Sequence, residues 1–69
     1  MLSMKMIING QEKDFEPSLS LENLIDSLSQ NKAHVIAELN GNIIKSSEWV
    51  RTTVAEGDKI ELVTFVGGG

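Results

Sequence analysis

Sixty-nine residues leave room for one small domain, and neither a second domain nor a long linker is expected. Apolar residues at 41% and charged residues at 23% point to a folded globular chain, and the absence of cysteine excludes a disulfide scaffold, a thiolate metal site and a cysteine nucleophile. Six Lys/Arg against ten Asp/Glu leave a net charge of −4, which argues against nucleic-acid binding and reads either as a solvated acidic surface that aids solubility or as one that also steers toward a basic partner.

Met4-Lys5-Met6-Ile7-Ile8 is a short apolar run closed by Asn9-Gly10, the pair favoured in tight hairpins because both central residues of a type I′ turn need positive φ. Gln11 to Phe15 is the expected return strand, and Pro17 stops it because proline cannot donate to a ladder. Ser20 then offers an N-cap. Leu21, Leu24, Ile25 and Leu28 recur at the spacing of one helix face, so a helix of about three turns is expected, lying on the hairpin before it. Val35, Ala37 and Leu39 alternate as in a half-buried strand, Asn40-Gly41 marks a second hairpin, and Ile43-Ile44 is a brief return. Ser46-Ser47-Glu48-Trp49 reads as a capped single turn with Trp49 pointing inward. Glu56-Gly57-Asp58 reads as a tight turn and Lys59 to Val66 as the last strand.

One helix with one apolar stripe, set among four or five strands, is most economically buried under a mixed sheet. The expectation is an α+β fold of the β-grasp (ubiquitin-like) kind over residues 1–66, followed by a flexible tail at 67–69.

Side-chain chemistry is sparse. His34, the one histidine, has no nucleophile or second histidine at a useful spacing and reads as a surface or strand-edge residue. Asp14, Glu16, Glu22 and Asp26 read as a solvated face, and Met4 and Met6 as core filling rather than metal ligands. The glycine turns lack phosphate-cradle spacing. No stretch approaches the roughly 20 apolar residues of a membrane span, and no secretion signal precedes the first strand, so a cytoplasmic chain is expected.

Gly67-Gly68-Gly69 is the exception. Three glycines are a frayed end or a leftover linker on one reading. On the other they are a thread without side chains, extending on the order of 13 Å with Val66 and presenting the Gly69 carboxylate. On the last strand Ile60 and Leu62 share the core face, with Val66 near the core. Val63 and Phe65 point the other way, joined by Ile7 and Ile36 in an expected docking patch.

With "MIINGQ", "SLENLI", "VIAELNGNII", "SSEW" and "EGDKIELVTFVGGG" in this order along nearly the whole chain, the sequence resembles the ThiS family of ubiquitin-like sulfur carriers of thiamine biosynthesis. The resemblance implies a carrier rather than an enzyme. A ThiF-type adenylyltransferase using ATP and magnesium would adenylate Gly69, and a persulfide donor would displace AMP to leave a thiocarboxylate. That sulfur would pass to a ThiG-type thiazole synthase, with the carrier a monomer when free. The small subunit of molybdopterin synthase shares the same expected fold, tail and activation. A non-covalent β-grasp binding module and a lysine-conjugated protein modifier are the other readings. The family motif needs only the last two glycines, and Glu38 stands where some relatives place a smaller or apolar residue.

Overall fold

In the computed structural model, residues 3–28 and 32–65 are described. The chain runs β1 (Met4–Ile8), β2 (Gln11–Phe15), α1 (Leu21–Leu28), a 3₁₀ turn (Lys32–His34), β3 (Val35–Leu39), β4 (Asn42–Ile44), a second 3₁₀ segment (Ser46–Arg51) and β5 (Lys59–Thr64).

The strands form one sheet in the order β2-β1-β5-β3-β4. The last strand is therefore the central one. It runs parallel to β1, with Ile8 beside Ile60, and antiparallel to β3, with Ala37 opposite Leu62. Both Asn-Gly pairs make the predicted turns: φ is 50° at Asn9 and 83° at Gly10, then 51° at Asn40 and 88° at Gly41. Positive φ at both central residues matches the twist of the flanking strands, which is why these dipeptides set the two hairpins.

Period-two alternation sorts the sheet into two faces. Met4, Met6 and Ile8 of β1, Val35 and Ala37 of β3, and Ile60 of β5 are buried on the inner face. Leu21, Leu24 and Ile25 of α1 meet them there, as do Trp49 and Val54. The Ser20 Oγ accepts the Asn23 N–H at 3.1 Å, so Ser20 is the predicted N-cap.

The described part of the helix, Leu21–Leu28, makes about two turns, and Leu28 is 39% exposed; the rest of the expected three turns lies outside the described residues. The Ser27 hydroxyl donates back to the Leu24 carbonyl at 2.8 Å. Nor does α1 rest on the first hairpin alone. The Leu21 N–H donates to Thr52 O at 2.7 Å and the Val54 N–H to Leu19 O at 3.1 Å, tying the start of the helix to the segment after Trp49.

The region around Trp49 also differs from expectation. It is a six-residue 3₁₀ segment whose cap residue is Lys45, with no side-chain cap bond from either serine. Packing holds it instead. Trp49 is 3% exposed and its indole Nε1–H donates to Ile44 O at 2.9 Å, so the polar atom that this side chain carries inward has a partner. The turn at Glu56-Gly57 is docked on β1: Glu56 Oε1 accepts the Lys5 N–H at 2.7 Å and the Gly57 N–H donates to Lys5 O at 2.8 Å.

Candidate functional site

The site is built at the exit of β5. Being central, β5 is held on both sides. The last strand was expected to reach Val66; the regular strand ends at Thr64, after which Phe65 still donates its N–H to His34 O at 3.0 Å. Val66, Gly67, Gly68 and Gly69, including the proposed reactive carboxylate and the proposed core position of Val66, lie outside the described residues.

The outer face of the sheet carries the expected docking residues. Ile36 and Val63 are direct cross-strand partners and are 42% and 55% exposed. Phe65, 46% exposed, continues the face toward the exit, and its ring centroid lies 5.4 Å from that of His34. Such a centroid spacing is within the range of favourable aromatic contacts. Sequence reasoning assigned His34 no part here. The signal was present, because His34, Ile36 and Glu38 alternate onto one face.

Ile7 does not join them. It is half-buried on the same face but stands opposite Lys59, four residues before Val63 along β5 and hence about 13 Å away. The parallel pairing of β1 with β5 shifts Ile7 toward the far end, and only a register, not a face assignment, could have revealed this. Three of the four expected residues come together, and His34 takes the fourth place.

Two further residues hold β5, Asn9 along its length and Asn40 at its start. Beyond Ile8↔Ile60 the backbone ladder between β1 and β5 ends, and Asn9 Oδ1 accepts the Leu62 N–H at 2.8 Å in its place. On the other side Asn40 Oδ1 accepts the Lys59 N–H at 2.9 Å, while its Nδ2 donates to Asp58 Oδ1 at 3.1 Å. Each turn asparagine thus has two tasks, a positive φ and a clamp on β5.

Titratable groups elsewhere are structural. Lys32 lies 3.0 Å from Asp26 and 3.8 Å from Glu22, two carboxylates on one side of α1. The hydrogen bond to Asp26 and that carboxylate's charge hold the Lys32 ammonium above its ordinary range. An open cleft of about 380 Å³ beside β5, lined by Ile8, Asn9, Leu62 and Thr64 among others, gathers no acid–base pair. Among the described residues no group of three His, Cys, Asp or Glu is placed to hold a metal ion, and no helix is long and apolar enough to cross a membrane.

A five-stranded mixed sheet over one helix, with the last strand central and leading out of the fold, defines a ubiquitin-like β-grasp domain. The ThiS family model matches residues 6–69, and the chain belongs to the ThiS family, the ubiquitin-like sulfur carriers of thiamine biosynthesis. In structure it is similar to the thiamine biosynthesis protein ThiS from Geobacter metallireducens, with a TM-score of 0.82 and 33% identity over 96% of this chain and all of that one. In sequence it is 26% identical to the sulfur carrier protein ThiS of Escherichia coli K12, across 96% of this chain and the whole of that protein. It is also 39% identical to a thiazole synthase of Paramagnetospirillum magneticum, covering 96% of this chain but only 20% of that protein's length.

Proposed function

We propose that this chain carries sulfur on the Gly69 carboxylate for formation of a thiazole ring, working in the cytoplasm and without catalytic groups of its own. A carboxylate is a poor electrophile at neutral pH, so it must first be given a leaving group. A ThiF-type adenylyltransferase supplies it with ATP and magnesium: a Gly69 oxygen attacks the α-phosphorus, pyrophosphate departs and an acyl adenylate forms. The terminal sulfur of a persulfide donor then attacks the acyl carbon and AMP leaves. Cleavage of the resulting S–S bond by a thiol releases the C-terminal thiocarboxylate, which passes its sulfur to a thiazole synthase. The lack of cysteine is no handicap, because sulfur travels on the main chain.

The observation that carries this reading is the family match running to residue 69, so that it includes Gly67, Gly68 and Gly69. The glycines suit the task. Without side chains they can enter a channel too narrow for any other residue. Similarity to a stretch of a thiazole synthase favours the thiamine pathway over the small subunit of molybdopterin synthase.

Intact-mass measurement after incubation with the adenylyltransferase, ATP, magnesium and a persulfide donor tests the proposal. The expected result is a gain equal to sulfur minus oxygen, localised to Gly69. No gain with a competent enzyme, or full function after deletion of Gly69, overturns it.

A further inference from the structure

Asn-Gly occurs twice in the chain, at Asn9-Gly10 and Asn40-Gly41. In this dipeptide the glycine nitrogen carries no side chain into its approach to the asparagine Cγ, so closure to a cyclic imide is easier than at other Asn-X pairs. The two copies share most of what governs that reaction. Both turns are exposed and have positive φ at both central residues. A Cβ added at either glycine would meet nothing within 4 Å, so the backbone flank is open in both. In each, the asparagine Oδ1 accepts a backbone N–H, from Leu62 at 2.8 Å or from Lys59 at 2.9 Å.

They differ at the amide nitrogen, which is the leaving group. Asn40 Nδ2 donates to Asp58 Oδ1 at 3.1 Å, and Asp58 is itself fixed by the Ala55 N–H on its Oδ2 at 2.8 Å. The Asn40 amide is thus held through both of its polar atoms, and the carboxylate charge beside it opposes the oxyanion that attack on Cγ forms. Asn9 Nδ2 has no partner among the described residues. The Asn9 side chain also borders the open cleft beside β5, which gives it room to turn and access to water.

We propose that Asn9 is a site of spontaneous deamidation in the folded protein, and that Asp58 guards Asn40 against the same reaction. The Gly10 nitrogen attacks Asn9 Cγ. A new C–N bond closes the imide, the Cγ–Nδ2 bond breaks, and ammonia leaves with the proton from the Gly10 nitrogen. Water then opens the ring. Its addition at Cγ leaves an aspartate at this position, and its addition at the main-chain carbonyl carbon leaves an isoaspartate, through whose Cγ the chain now runs. The two products act differently on the fold. Aspartate keeps an oxygen for the Leu62 N–H and makes that bond charge-assisted. Isoaspartate adds one atom to the backbone of a two-residue turn, so the positive-φ geometry and the clamp on β5 are both lost. Deamidation at this one turn therefore loosens the seam between β1 and β5.

The test compares the two turns within one molecule. The full chain is incubated at mildly alkaline pH, folded and in parallel in concentrated urea. Peptides are sampled over time by mass spectrometry, with fragmentation that tells isoaspartate from aspartate. In urea both sites should react at similar rates. In the folded chain Asn9 should lose its amide at least about tenfold faster than Asn40, the effect of one charge-assisted hydrogen bond. Asp58→Ala, first shown by its melting curve to be folded, should speed the loss at Asn40 about tenfold and leave Asn9 unchanged. The isoaspartate form, separated by chromatography, should melt about 4–8 °C below the unmodified chain, whereas Asn9→Asp should melt close to it. Equal rates at the two turns of the folded chain overturn the proposal, as does an Asn9 that stays intact while the unfolded chain reacts. An unchanged Asn40 rate in folded Asp58→Ala overturns the role of Asp58; if that variant does not fold, the ratio of the two sites in the wild-type chain decides alone.

Discussion

Asn9 reaches across 53 residues of sequence to accept the Leu62 N–H through its side-chain oxygen, at 2.8 Å, where the backbone ladder between β1 and β5 has already ended. A turn residue thereby extends the sheet and steadies the strand from which the tail departs. Asn9→Gly keeps the positive φ and removes the clamp, so it should cost about 1 kcal/mol. Asn9→Ala also strains a backbone at φ 50° and should cost about 2 kcal/mol. Urea unfolding of the two variants checks the order, which reverses if the clamp contributes nothing and the alanine is unstrained.

Trp49 holds the long segment between β4 and β5 to the core. Its truncation to alanine is expected to cost about 3–5 kcal/mol through the cavity alone. For a chain of this length the total stability is roughly 3–10 kcal/mol, so the variant should be largely unfolded near 37 °C. Trp49→Phe fills most of the volume but leaves the Ile44 carbonyl without its indole donor, for a smaller loss of about 1–3 kcal/mol. Thermal melts followed by far-UV circular dichroism distinguish the two.

Val63→Asp and Phe65→Asp fall on exposed positions of the outer face and should shift the melting temperature little, while weakening binding to the adenylyltransferase at least tenfold. Ile7→Asp, at the far end of the face, should leave binding much closer to wild type. Equal losses at Ile7 and Val63 would contradict the register-based boundary of the patch.

Lys32 yields a pH prediction with a definite sign. Its ammonium is held above 10.5 in the folded chain by Asp26 first and Glu22 last. A raised lysine contributes its stability in full below the unfolded pKa and loses it as pH rises through the folded one. Stability from this contact should therefore be flat from pH 6 to pH 9 and fade only above about 10.5. Lys32→Met should abolish that alkaline limb in a pH series of denaturation midpoints.

Local chemistry made much of the fold legible. The Asn-Gly turns follow from positive φ, the strands from alternation and the helix from its stripe and the Ser20 cap, and these depend on residues within a few positions of one another. The family was legible for the same reason, since the resemblance lies in contiguous motifs. Tertiary structure alone decided that β5 is central and that its parallel register with β1 carries Ile7 away from Val63. It also decided that Glu38 faces Glu61 and that Asn9 and Asn40 grip β5. Each of these joins residues far apart in sequence through a pairing register, and a register is set by the packing of the whole core rather than by the pattern of any one segment.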